Sequence, residues 1–359
     1  MKRRLNYALC AAFVALGCVL SAVRAQESFT GQWLVEPTKQ ADKVQLTLRY
    51  RSWKSKDGDE DKWRGYNNTT SFDIARAQLL GLTAAQTSSP AGNTVRFQLR
   101  RDAGTLDCEG WFRDGQGSGH FVFVPDQAFA AELARRGVGT PTREQQFHLA
   151  LADAGFALLD ELRADGYAQP NMEQFVRLGQ HGVRLEYVRD LHALGYDLNS
   201  VEALVRMADH GVSPRYIRNL AALGYERLAA EDLVRAVDHG VSSDYVTKMQ
   251  AAGYGRPPLD ELVRMVDHGV GPRLVGELAE LGYRQLSVEQ LVRLADHGVS
   301  PKFIRNLKAL GFENVPVDLL VRLADHGVSS DFIQKARARG YNDLTLEQFI
   351  SLRDHGDLR

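Results

Sequence analysis

The chain has 359 residues, 44 of them basic and 45 acidic, with a formal net charge of -1; it is 44% hydrophobic and 25% charged. This composition excludes wholesale disorder, and three cysteines are too few for a disulfide scaffold. The near-zero charge gives no reason to expect nucleic acid as a partner, and at about 100–200 residues per domain the length holds two or three domains.

Lys2, Arg3 and Arg4 precede an apolar run from Tyr7 to Val23, and Val23-Arg24-Ala25 places small residues where a signal peptidase cuts. This is the pattern of a secretory signal over 1–25, with a periplasmic destination expected. A membrane anchor fits less well, because a run of about 17 residues is marginal for a bilayer. Ala15-Leu16-Gly17 before Cys18 is a degenerate lipobox, but apolar residues continue past the cysteine. Without residues 1–25 the chain keeps 40 basic and 45 acidic groups, net -5, and Cys108 stands alone. Cys108 lies in an alternating apolar run and is expected to be a buried, inert thiol. No later apolar stretch is long enough to span a membrane.

Residues 26–127 read as a small antiparallel β domain. Period-two alternation marks Val44–Tyr50, Val95–Leu99, Leu106–Phe112 and Phe121–Phe123. Asp102-Ala103-Gly104 and Asp114-Gly115-Gln116-Gly117 supply turns between the last three, and an earlier strand lies near Gly31–Val35. Five or six strands are expected, with Phe72–Leu82 open between strand and short helix. All four tryptophans (Trp33, Trp53, Trp63, Trp111) fall here. They serve either as sheet packing or as an aromatic platform for a glycan or small ligand, for which Trp53 and Trp63 are the candidates. Gly31-Gln32-Trp33 resembles the Gly-x-Trp of lipocalin barrels, which need eight strands. Asp57–Asp61 resembles a calcium loop but has Lys62 and Asn68 where glycine and an acid belong, so a solvated hairpin tip is expected.

Residues 128–165 form a degenerate helical capping region marked by Gly137 and Gly155. Over 166–359 one unit repeats. His-Gly recurs at His181, His210, His239, His268, His297, His326 and His355, always 29 residues apart, and Gly followed by an aromatic keeps the same period from Gly166-Tyr167 to Gly340-Tyr341. Each copy divides into two short helices. In one copy Ser200 caps the first, with Val201, Leu204, Val205 and Ala208 facing inward, and Gly211 ends it in the left-handed C′ conformation. Ser213-Pro214 opens the second, with Tyr216, Ile217, Leu220 and Leu223 inward. Such short helices are marginal alone and must stack, which makes an α-solenoid. The fold expected is therefore α+β and multidomain: a small antiparallel β domain followed by an α-solenoid of 29-residue helical hairpins.

The repeated charges read as structural. Stacked helices sit about 8–10 Å apart, too far for one metal ion to gather the histidines, so each histidine is expected to meet the dipole and last carbonyls of its own helix. Arg206/Asp209, Arg235/Asp238, Arg264/Asp267, Arg293/Asp296 and Arg322/Asp325 are spaced for intrahelical pairs. Function is better sought where copies differ. Outward positions of the second helices carry Arg215, Asp244, Arg273 and Lys302; then Arg218 and Arg305; then Asn219, Lys248, Glu277 and Asn306. These are candidate protein- or peptide-binding residues, although drift at solvated sites explains the same variation. His-Glu-x-x-His, Gly-x-Ser-x-Gly and P-loop motifs do not occur, so no catalytic residue, metal or cofactor is expected.

The unit at 291–312, Leu-Val-Arg-Leu-Ala-Asp-His-Gly-Val-Ser-Pro-Lys-Phe-Ile-Arg-Asn-Leu-Lys-Ala-Leu-Gly-Phe, resembles repeats in some BlaR/MecR-type membrane metallopeptidase homologues. Val95–Val124, with Arg101–Thr105 and Glu109-Gly110-Trp111-Phe112, is similar to the β module that precedes them. The membrane helices and the His-Glu-x-x-His of that group do not occur here, so the resemblance carries over no catalytic residue. It implies an extracytoplasmic module, sensory or adaptor-like; the solenoid is the part expected to bind a protein or peptide.

Overall fold

The computed structural model describes residues 29–56 and 59–356, with the backbone alone for 52–65. The expected leader at 1–25 and residues 57–58 of the acidic tip lie outside this description. Two compact units are present, Met1–Leu159 with Gln169–Gln180 and Asp160–Ala168 with His181–Arg359.

The first unit is built on one antiparallel sheet of seven strands. These are β1 (Phe29–Pro37), β2 (Lys43–Lys56), β3 (Asp59–Ala75), β4 (Leu79–Leu80), β5 (Asn93–Arg101), β6 (Gly104–Arg113) and β7 (Gln116–Pro125), in the spatial order β3-β2-β1-β7-β6-β5-β4. The count exceeds the five or six expected because Phe72–Leu82 divides between two strands: β3 ends at Ala75, a 3₁₀ turn covers Arg76–Gln78, and β4 follows. Asp114 (φ 48°) and Gly115 (φ 83°) take the left-handed conformations of a two-residue hairpin turn.

The sheet is open, with β3 and β4 at its edges, but strongly curled. Strands lie about 4.8 Å apart, and β1 and β5 are separated by two others, yet the Trp33 and Phe97 rings meet at 4.9 Å. Trp33 sits in the concave core and donates its indole N–H to the carbonyls of Glu109 and His120 at 3.2 and 3.1 Å. The indole needs glycine beneath it: a Cβ on Gly110 would fall 2.7 Å from the ring and 2.2 Å from the Ser118 carbonyl.

Four helices or helical turns complete this unit: α1 (Ala84–Ser88), α2 (Gln127–Arg135), α3 (Arg143–Ala152), and, after α4 (Phe156–Ala164), α5 (Met172–Gln180). Phe147 of α3 stacks on Phe29 at 4.1 Å and lies against Tyr50, Phe121 and Phe123. The neighbouring Gln146 is buried and donates to the carbonyls of Ala103 (2.8 Å) and Asp126 (2.6 Å), which fixes α3 to the end of the sheet. Gly155 adopts no left-handed conformation; Asp153 (φ 56°) does so instead. Gly155 is required because the Asp102 carboxylate, which accepts from the Phe156 N–H, occupies the space of a Cβ.

The second unit continues with α6 (Leu185–Ala193), α7 (Val201–Asp209), α8 (Pro214–Ala222), α9 (Ala230–Asp238), α10 (Ser243–Met249), α11 (Leu259–Asp267), α12 (Pro272–Glu280), α13 (Val288–Asp296), α14 (Pro301–Ala309), α15 (Val317–Asp325), α16 (Ser330–Ala338) and α17 (Leu346–His355). Odd-numbered helices pack on odd and even on even, which is the solenoid the 29-residue period requires. Ser200 and Ser213 accept from the Ala203 and Tyr216 amides, and Ser287 with Gln290 forms a capping box. Gly211 (φ 74°) lets the Val212 N–H close onto the Met207 carbonyl at 2.9 Å, a Schellman ending. One inward position differs from expectation: Met207 is fully buried and Ala208 half-buried. Each first helix is covered by its own second helix and by the neighbouring copy, so the buried arc is wider than a single stripe.

Candidate functional site

The polar residues that recur in every copy bind copy to copy. Nδ1 of His210, His239, His268, His297 and His326 bonds to Oδ1 of Asp238, Asp267, Asp296, Asp325 and Asp354, at 2.6, 2.7, 2.6, 2.6 and 2.9 Å. His181 meets Asp209 in the same way. The histidine side chains thus turn sideways to the next copy and not to their own last carbonyls, which Gly and Val amides already satisfy. His355 turns instead to a carbonyl of its own helix, that of Ser351.

The arginines also cross. Arg206 pairs with Glu231, Arg264 with Glu289, Arg293 with Asp318 at 2.6 Å, and Arg235 with Asp260 as well as Asp232. The intrahelical Arg/Asp pairs expected from spacing give way to these, because each aspartate is taken by the preceding histidine and four of the five arginines, all but Arg322, reach an acid in the first turn of the next first helix.

Tyrosines close the joints. The hydroxyls of Tyr187, Tyr216 and Tyr245 donate to the carbonyls of Val212, Val241 and Val270, and those of Tyr196, Tyr225 and Tyr283 to Leu228, Pro257 and Val315. Burial pushes the Tyr216 and Tyr245 hydroxyls up to about 12.

The faces left over differ in charge. The odd helices α7–α17 carry fourteen acids and six bases, whereas the even helices α6–α16 carry ten bases and six acids. The candidate binding residues lie on the even helices, and the structure divides them. Arg218 reaches Asp190 at 3.4 Å and Arg305 reaches Glu277 at 2.8 Å, while Glu277 also receives Arg273 at 2.9 Å. Arg273 and then Arg305 hold the Glu277 carboxyl below the usual carboxylate range. Lys248 pairs with Asp244 at 2.7 Å, and Asn306 meets the Ser330 hydroxyl. Arg215, Asn219 and Lys302 are exposed and engage no other group among the described residues.

On the sheet, Trp33 is core, while Trp111 is 46% exposed and lies over Gly92. Trp53 and Trp63 stand on the β2–β3 ribbon opposite Gly65 and Ser55, and their side chains lie outside the description. The outward face of β5, β6 and β7 holds an open depression of about 850 Å³. Its rim includes Arg96, Arg100, Asp107, Glu109, His120 and Val122. Arg96 is paired with Glu109, and Gln98 donates to Asp107 at 2.7 Å. Sequence reading missed this depression, because outward residues of a half-buried strand show only as the polar half of an alternation. Cys108 is buried, and desolvation, with Asp107 second, pushes its thiol far up.

Among the described residues no three His, Cys, Asp or Glu side chains converge as a metal would require, and no helix is long and apolar enough to cross a membrane. No protein-family model and no curated protein matches this chain.

Proposed function

We propose that this chain is an exported, non-catalytic interaction scaffold, sensory or adaptor-like, that binds an acidic protein or peptide along the even-numbered helices of its solenoid. The observation that carries the reading is the division of labour within each copy. Recurring His, Asp, Arg and Tyr side chains are used in copy-to-copy bonds, whereas outward positions of the even helices vary and present an excess of basic groups. A row of cations on a rigid support steers and orients an acidic partner. The basic start and apolar run before Ala25 support export. The likeness to the BlaR/MecR-type extracytoplasmic region agrees with both.

The test is affinity capture from the native extracytoplasmic fraction with the mature chain and with an Arg215→Glu/Lys302→Glu variant. A protein retained by the first and lost from the second is the expected result. Equal capture by both, or none above background, would sink the reading. A second reading, in which the sheet takes a small ligand or glycan, draws on the 850 Å³ depression and the half-exposed Trp111 beside that face. It predicts ligand-induced quenching of tryptophan fluorescence that is lost in Trp111→Phe.

A further inference from the structure

One joint of the solenoid departs from the rest. At 29-residue spacing from Asp165 stand Leu194, Leu223, Ala252, Leu281, Leu310 and Arg339, and at the same spacing from His192 stand Ala221, Gln250, Ala279, Lys308 and Arg337. Only in the first joint do a carboxylate and an imidazole take these two places together. Asp165, just past the end of α4, is 8% exposed, and its Oδ2 has no hydrogen-bond partner. Its Oδ1 lies 3.5 Å from His192 Nδ1, which bonds more closely, at 2.8 Å, to Asp197 Oδ1 on the loop after α6. The next residue of that loop, Leu198, donates its N–H to the Tyr167 hydroxyl at 3.3 Å.

We propose that the α4–α6 joint is a pH-operated clasp: charged His192 bridges Asp165 and Asp197 and holds the 197–198 loop against the end of α4, and loss of the proton releases the loop.

The groups around His192 support this from each side. From α4 come Asp165 and Glu161; from the loop comes Asp197. Arg189 on α6 is turned to Glu161 at 2.9 Å, and Arg218 on α8 is turned to Asp190, so neither cation neutralises Asp165. The bond to Asp197, then the charges of Asp165, Asp197 and Glu161, keep His192 protonated to higher pH than an ordinary histidine. With the folded value raised, the clasp is fully closed below the ordinary value of about 6.5 and is lost as pH rises through the raised one. Neutral His192 leaves a buried carboxylate without a cation, which is costly enough to favour opening and hydration of Asp165. Other joints, with no acid at the first of these places and no histidine at the second, carry no such dependence.

The experiment uses the full chain, with NMR titration of His192 and hydrogen exchange at the Leu198 amide, corrected for the intrinsic pH dependence of exchange. Protection of Leu198 should fall by up to about tenfold per pH unit above the ordinary histidine value, the limit for one linked proton. The Tyr225 amide in the next joint, bonded to the Leu220 carbonyl, should keep its protection. Asp165→Asn should lower the His192 midpoint, and Asp165→Leu/His192→Ala should keep Leu198 protected throughout. Titration of His192 at the ordinary histidine value, or Leu198 protection that does not change across its midpoint, overturns the proposal.

Discussion

Tyr216 illustrates how a single side chain does two jobs in each joint. Its ring fills the groove between neighbouring copies, and its hydroxyl satisfies the Val241 carbonyl at 2.7 Å. Tyr216→Phe keeps the ring and removes the donor, so it should cost about 0.5–1.5 kcal/mol in urea unfolding, the usual net value of one such bond. Phe303 and Phe332 occupy the same place in later copies, which shows that the ring suits the groove without the hydroxyl. A pH dependence follows from the burial of these hydroxyls. Tyr216 and Tyr245 ionise at about 12 in the folded chain, against an ordinary value of about 10. Their contribution is fully present below about pH 10 and is lost as pH rises through about 12, because the unfolded chain releases these protons first. Alkaline titration should show tyrosinate absorbance of these residues rising together with loss of helical circular dichroism, and in Tyr216→Phe/Tyr245→Phe the alkaline loss should be shallower.

At the scale of the element, helix boundaries were legible because their causes are local. Ser-Pro starts, glycine C′ positions and the Ser287/Gln290 box each act within five residues, and the structure has them where the sequence places them. The partners of the recurrent charges were not legible from one helix, since a spacing of three residues favours Arg206/Asp209 until the lateral offset between copies is known. The period did carry a clue: the Asp-His pair recurs at 29 residues, so each repeat histidine from His181 to His326 stands 28 residues before an aspartate, the separation of the six copy-to-copy His–Asp bonds. The clasp at His192 was visible only as a break in that period, an aspartate where leucine recurs. If the His–Asp bonds join neighbouring copies alone, a double-mutant cycle separates the cases. His268→Ala with Asp296→Ala should show coupling of about 0.2–1 kcal/mol, the range of exposed pairs. The same histidine change with Asp325→Ala, whose partner is His297, should be additive within about 0.3–0.5 kcal/mol.

For the whole molecule, these ties make the solenoid a chain of nearly interchangeable joints, whereas the curled sheet of the first unit is not. Trp33, Gly110 and Phe147 are each matched to one place in the sheet, so the removal of any strand destroys the core. In the solenoid, stability is a sum of units and nearest-neighbour interfaces, and removal of one complete unit restores the register it interrupts. Deleting residues 240–268 joins His239 to Gly269 and brings His239 to Asp296, Tyr216 to the Val270 carbonyl and Arg235 to Glu289. Each of these pairings repeats the chemistry of a bond already present one copy away. It removes the copy-specific bonds from Gln250 to the Leu223 carbonyl and from Arg256 to the Gly224 carbonyl, so stability should fall while folding persists. The expected outcome is a folded chain with the same circular dichroism per residue and a single thermal transition at lower temperature. Deleting about half a unit, 240–253, should instead set a first helix against a second-helix groove and break the bonds that cross the cut, those of His239 to Asp267, Tyr216 to Val241 and Tyr225 to Pro257. That variant should lose helical signal out of proportion to the residues removed. If both deletions behave alike in thermal melts, the joints are not equivalent, and constancy along the array would have to come from something other than copy-to-copy bonding.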